Sequence, residues 1–232
     1  MTQTTLPPTP GTAVLPPALR GWLGPVAGSA ASVVALLGVR YAGEGGPGRA
    51  DARVGAAVEG VRPPWRSVAL LLDSLGEPVG ATALAMAVVT GCLLLRRPRA
   101  AVFTVAAVGA TVGAATLLKH LVGRTIHGEN LSYPSGHTAF ATSLALTVAL
   151  LATGRPGQDG HPSRYGFGLA AALVAGAAMG WAQVALGAHY PTDALAGWCT
   201  ALALVPVTAW LVDRTADRRA RRRADAGRQP GR

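Results

Sequence analysis

A chain of 232 residues with 50% hydrophobic and only 14% charged residues, at a mean hydropathy of +0.34, differs from a soluble domain, in which about a quarter of residues carry charge. This composition excludes an ordinary soluble fold and points to a membrane-embedded chain. The formal charge of +10 does not point to nucleic acid, because the basic residues lie between apolar blocks and in the tail, with no aromatic residues among them.

Residues 1–17 are rich in Pro and Thr and would lose backbone donors in a regular helix, so they are expected to form a disordered or extended lead-in. No charged n-region, apolar stretch and cleavage site open the chain, and no removable signal peptide is expected. Residues 19–41 are apolar over a length that spans a hydrocarbon core. Residues 43–64 mix Gly, Pro and charge and read as a loop. Residues 65–75 place apolar side chains at helical spacing with Arg66 and Asp73 opposite, which suits either a short interfacial helix or a lead-in to the next span.

Further spans follow at 78–95, 100–118, 138–152, 165–186 and 191–212, with Pro191 suited to a first helical turn. The membrane domain thus covers 18–212, and 213–232 form a basic tail with eight Arg against three Asp. With six spans, the 96–99 turn, the 155–164 loop, the tail and the N-terminus share one side, which the excess of Arg marks as cytoplasmic. The 119–137 link and the Gly187-Ala188-His189-Tyr190 link then meet on the extracytoplasmic face. Cys92 and Cys199 fall in apolar runs and read as small packing residues, outside any disulfide or thiolate framework.

Three polar groups stand at the outer ends of spans. Ser135 and Gly136 precede a helix whose free N–H groups and dipole favour an anion such as phosphate, and His137 in its first turn is placed to donate a proton to a departing alkoxide. His189 and Asp193 are four residues apart across Pro191. Asp193 can therefore fix one ring nitrogen and leave the other as a nucleophile, while also favouring the helix N-terminus electrostatically. Lys119 and Arg124 would neutralise non-bridging phosphate oxygens, or else reach lipid headgroups. Gly-x-Ser-x-Gly is absent, so Ser135 is not expected to act as an acyl-transfer nucleophile. His120, His127 and His161 lack ligand-like spacing, and neither a metal nor a cofactor is expected.

These residues resemble the type 2 phosphatidic acid phosphatases, relatives of the vanadium haloperoxidases and bacterial acid phosphatases. The family signature reads Lys-x6-Arg-Pro, then Pro-Ser-Gly-His, then Ser-Arg-x5-His-x3-Asp. Its second part is complete as Pro134-Ser135-Gly136-His137, and its third matches at His189-Tyr190-Pro191-Thr192-Asp193. Ala182-Gln183 stands where the family has Ser-Arg, and Ile126-His127 where it has Arg-Pro. Arg124 aligns with an earlier, auxiliary Arg of some members.

The resemblance implies an all-α, polytopic six-helix membrane bundle in the cell membrane, with both termini cytoplasmic. It also implies a metal-free lipid phosphate or diphosphate phosphatase acting through a phosphohistidine. His189 would attack phosphorus, Asp193 would orient it, and His137 would protonate the leaving oxygen. Lys119, Arg124, Ser135, Gly136 and Gln183 would hold the phosphoryl group. A membrane protein of this fold that binds lipid phosphate without turnover is the alternative, motivated by Gln183 and Ile126. A vanadate-dependent haloperoxidase is a third reading that the spans oppose. The sequence names neither the lipid nor the oligomeric state.

Overall fold

The computed structural model describes residues 13–16, 19–153 and 162–228. In chain order its elements are α1 (Arg20–Arg40), α2 (Arg49–Val58), α3 (Trp65–Gly76), α4 (Pro78–Leu94), α5 (Pro98–Val122), β1 (Thr125–Ile126), β2 (Asn130–Leu131), α6 (Gly136–Thr153), α7 (Pro162–Ala185) and α8 (Pro191–Arg228). Among the described residues the one sheet is an antiparallel pair in which Thr125 faces Leu131 and Ile126 faces Asn130. The fold is all-α apart from this ladder in the link before α6.

Four helices, α1, α5, α7 and the first part of α8, are long and apolar enough to cross a bilayer alone. A fifth candidate is the pair α3 and α4, bent by 67° at its break. Pro78 lacks an N–H and forces Glu77 into an extended conformation, with ψ 154°, which separates the two helices. The expected six separate spans therefore correspond to four or five by length, with α6 the short member. At 18 residues α6 rises about 27 Å. It needs little lipid-facing surface because it is the central helix, with Phe140, Leu146 and Leu150 buried against α5, α7 and α8. Two of its buried hydroxyls return to its own carbonyls, Thr142 to Thr138 at 2.7 Å and Ser143 to Phe140 at 2.9 Å, while the buried Thr147 hydroxyl has no hydrogen-bond partner among the described residues.

Three stretches carry structure beyond what the sequence pattern indicates. The 43–64 loop contains α2, which Asp51 pins to the bundle. As far as Arg228 the basic tail continues α8 as helix, in keeping with the high helix propensity of its Ala and Arg residues. Within the N-terminal lead-in, residues 1–12 and 17 lie outside the described residues, but Val14 and Leu15 are buried and donate their N–H groups to the Asp213 carboxylate, both at 2.9 Å. Cys92 and Cys199 are free and buried in apolar clusters, in packing roles.

Helix contacts rest on small side chains. Ala196, Ala201 and Ala209 of α8 are fully buried, and a Cβ at Gly197 would strike the carbonyl of Ser135. This approach sets the N-terminus of α6 directly against the first turns of α8.

Candidate active site

The site forms where α5 and α7 end and α6 and α8 begin. Gly123, at φ +65°, takes the left-handed conformation that ends α5 and donates its N–H to the Lys119 carbonyl. Lys119 Nζ turns back to the carbonyl of Leu131 at 2.9 Å, joining the end of α5 to the strand that leads into α6.

Ser135 is fully buried. Its Oγ accepts the Thr138 hydroxyl at 3.1 Å and the Thr138 N–H at 3.4 Å, and its own N–H donates to the Asp193 carbonyl at 2.9 Å. Motif residues from two distant stretches are thus joined by backbone. The first-turn N–H groups of Gly136 and His137 have no intrahelical acceptor, as in any helix, and the dipole favours negative charge there.

Asp193 lies in the first turn of α8 and is fully buried. Its Oδ2 accepts the Tyr190 N–H at 3.1 Å and stands 3.9 Å from Nδ1 of His189. His189 is itself buried, and Nδ1 has no hydrogen-bond partner. Burial pushes its protonation well below the usual histidine range. Asp193 opposes this, while the positive charges of Lys119 and His137 add to it. A neutral imidazole with one nitrogen turned to a carboxylate is the arrangement that leaves the other nitrogen nucleophilic.

His137 faces two carboxylates that sequence reasoning did not assign. Its Nε2 lies 3.5 Å from Oδ1 of Asp73 and 3.6 Å from Oε1 of Glu77, on either side of the α3–α4 break. The ring packs over Gly76, where a Cβ would overlap it. Asp73, Glu77 and His137 are also the described residues whose side-chain donors come within 4.8 Å of one another, the one grouping with metal-ligand proximity among them. The amphipathic pattern of 65–75 had placed Asp73 on the polar face, which is the signal that could have found it.

Two predicted phosphate ligands are placed differently. Arg124 is fully buried. Its Nη1 binds Oδ1 of Asp193 at 2.6 Å and the Thr192 hydroxyl at 2.7 Å, and its Nη2 binds Oδ2 of Asp51 at 2.7 Å. The guanidinium is stacked against the rings of Tyr41 at 3.9 Å and Tyr190 at 4.3 Å. Asp51 also accepts the N–H groups of Thr192 at 2.9 Å and Gly48 at 3.1 Å. Burial works against its charge, but Arg124 and these N–H donors outweigh that and hold the carboxyl below the usual carboxylate range. Arg124 thus braces Asp193 from behind.

Gln183 is buried and donates from Nε2 to Oδ1 of Asp73 at 2.8 Å. Its backbone carbonyl accepts the N–H groups of Ala188 at 2.9 Å and His189 at 3.3 Å, which shapes the short link carrying His189. Lys119, Ser135, Gly136, His137, His189 and Asp193 therefore share one end of the bundle, with Arg124 and Gln183 bonded to acids around them.

Beside this cluster lies an apolar cavity of about 390 Å³. Val54 and Val58 of α2, Thr138 of α6, Trp181 of α7, and Pro191 and Leu195 of α8 are among its walls.

Comparison with known proteins agrees with this geometry. The model of the PAP2 superfamily matches residues 100–217, just over half of the chain. No curated protein matches significantly. The crystal structure of a transmembrane PAP2-type phosphatidylglycerolphosphate phosphatase from Bacillus subtilis superposes with a TM-score of 0.63 at 20% identity, covering 84% of this chain and 96% of the other. At that identity the likeness is one of fold, that of a multi-pass membrane bundle. With the family model spanning both imidazole motifs, the chain belongs to the PAP2 superfamily.

Proposed function

We propose that this protein is an integral-membrane phosphatase of lipid phosphate or diphosphate esters, working through a phosphohistidine with its site on the extracytoplasmic face of the cell membrane. The observation that carries the reading is the buried His189, turned to Asp193 and sharing one end of the bundle with Lys119 and His137. The Nε2 lone pair of His189 attacks phosphorus in line while the bond to the lipid oxygen breaks. His137 gives that oxygen its proton, then takes one from the water that displaces His189. Lys119 and the free N–H groups of Gly136 and His137 hold the phosphoryl oxygens. Asp73 and Glu77 pair with the imidazolium of His137.

The adjacent apolar cavity supports a lipid substrate, since its walls include Thr138, the residue after His137, and Pro191, two residues after His189, and would take part of a chain while the phosphate sits among the polar groups. Purified protein in detergent, with EDTA present, is expected to release phosphate from phosphatidic acid or a polyprenyl diphosphate, and His189→Ala to abolish the release. Undiminished activity in that variant would remove His189 as nucleophile.

A second reading has one observation in its favour. Arg124 is engaged by Asp51 and Asp193, and Gln183 is neutral, which leaves Lys119 as the lysine or arginine whose charge acts on His189. A site so supplied would bind phosphate esters without turning them over. Binding of phosphatidic acid with no phosphate released across a panel of esters would select this reading.

A further inference from the structure

The arginines of α8 have no part in the catalytic cluster, yet three of them share one helical face with Trp210. Arg214, Arg218 and Arg221 follow Trp210 along this face and, with Arg20 at the start of α1, line a cavity of about 340 Å³ at the end of the bundle opposite the imidazoles. The acids in this cavity are answered from one side: Arg99 Nη2 lies 2.7 Å from Asp213 and 3.2 Å from Asp217. Arg214 stacks on Trp210 at 4.8 Å, while Arg20, Arg218 and Arg221 have no ion-pair partner among the described residues. The cavity therefore carries uncompensated positive charge.

A second cavity of about 440 Å³ adjoins the first, and Leu15, Arg20 and Trp210 border both. Its other walls are Leu23, Gly24 and Ala27 of α1 and Pro206 and Val207 of α8. From Arg20 to Ala27 helix α1 rises about 10 Å toward the bilayer centre. The arginines thus sit at headgroup depth, Trp210 at the interface and the apolar walls below them.

We infer that this groove is a non-catalytic binding site for an anionic phospholipid. The phosphodiester lies among Arg20, Arg214, Arg218 and Arg221, and one acyl chain follows Leu23, Gly24, Ala27, Pro206 and Val207. The juxtaposition of the two cavities argues for lipid over soluble phosphate, which would use the arginines and leave the apolar walls uncovered. Basic recesses between membrane helices on the cytoplasmic side recognise anionic headgroups by the same charge complementarity. Occupancy would tie the start of α1 to the extension of α8. The site is independent of whether the imidazole cluster turns over substrate.

Native mass spectrometry of the full chain, released from detergent with dioleoyl-phosphatidylglycerol or dioleoyl-phosphatidylcholine, tests this assignment. The wild type is expected to keep one phosphatidylglycerol under conditions that strip phosphatidylcholine. Arg20→Glu/Arg218→Glu/Arg221→Glu should lower retention about ten-fold or more. Arg219→Glu/Arg222→Glu/Arg223→Glu makes the same change in charge outside the cavity and should retain the lipid. Gly24→Leu, at a position where an added Cβ meets nothing within 4 Å, fills the apolar part without altering charge and should also lower retention. Unfolding midpoints of each variant confirm that the fold is kept. Equal loss in the two triple variants, unchanged retention in the first triple or in Gly24→Leu, or a dimer lost in place of lipid would each overturn the assignment.

Discussion

A guanidinium held between two carboxylates and two aromatic rings is an expensive thing to bury, and Arg124 is tolerated because its two Nη groups are ion-paired and its plane is stacked, only Nε lacking a hydrogen-bond partner. Removing it leaves Asp51 and Asp193 buried and unpaired. Arg124→Met is therefore expected to destabilise the protein by about 3–5 kcal/mol, measured by denaturant unfolding in detergent. Because Asp51 titrates below its ordinary value of 3.8, its contribution is complete above that value and is lost as pH falls through the lower folded value. At His189 the sign is reversed in its use: depressed protonation keeps the nucleophile neutral, so the acid limb of kcat/KM should lie below 6.5. Lys119→Met removes a cation that disfavours the imidazolium and should move that limb upward, toward 6.5, whatever it does to the rate. A pH profile of both proteins checks the direction.

At the scale of elements, the α3–α4 break delivers two carboxylates to His137 because Gly76 leaves room for the ring. Gly76→Ala should displace His137 and lower kcat by roughly 100-fold, with the fold intact by thermal unfolding. Ala177→Trp, in the wall of the cavity beside the site, should raise KM for a long-chain lipid phosphate while leaving a water-soluble phosphate ester unaffected. The spans and both imidazole motifs were legible because apolar length and short spacings are local signals. Asp51 was not, since α2 is short and lies in a Gly- and Pro-rich stretch whose partner, Arg124, is 73 residues away. The length of α8 was not legible for another reason: hydropathy changes at Asp213, but helix propensity does not.

Across the whole molecule, the helices alternate so that the imidazoles lie at one end and the arginines of 96–99 and of α8 at the other. The proposed orientation, argued from this asymmetry of charge, puts the arginine end in the cytoplasm. In intact cells, a membrane-impermeant maleimide should label Glu59→Cys and spare Arg219→Cys, since the native Cys92 and Cys199 are buried. The central claim is that this architecture exists to bring His189, as nucleophile, to the N-terminus of α6 beside His137. Rapid quenching of the purified protein with phosphatidic acid labelled in its phosphate tests it most directly. The account predicts a protein-bound phosphoryl group that survives alkali, is lost in acid and is absent from His189→Ala. Phosphate release without any labelled protein, or label persisting in His189→Ala, would contradict it.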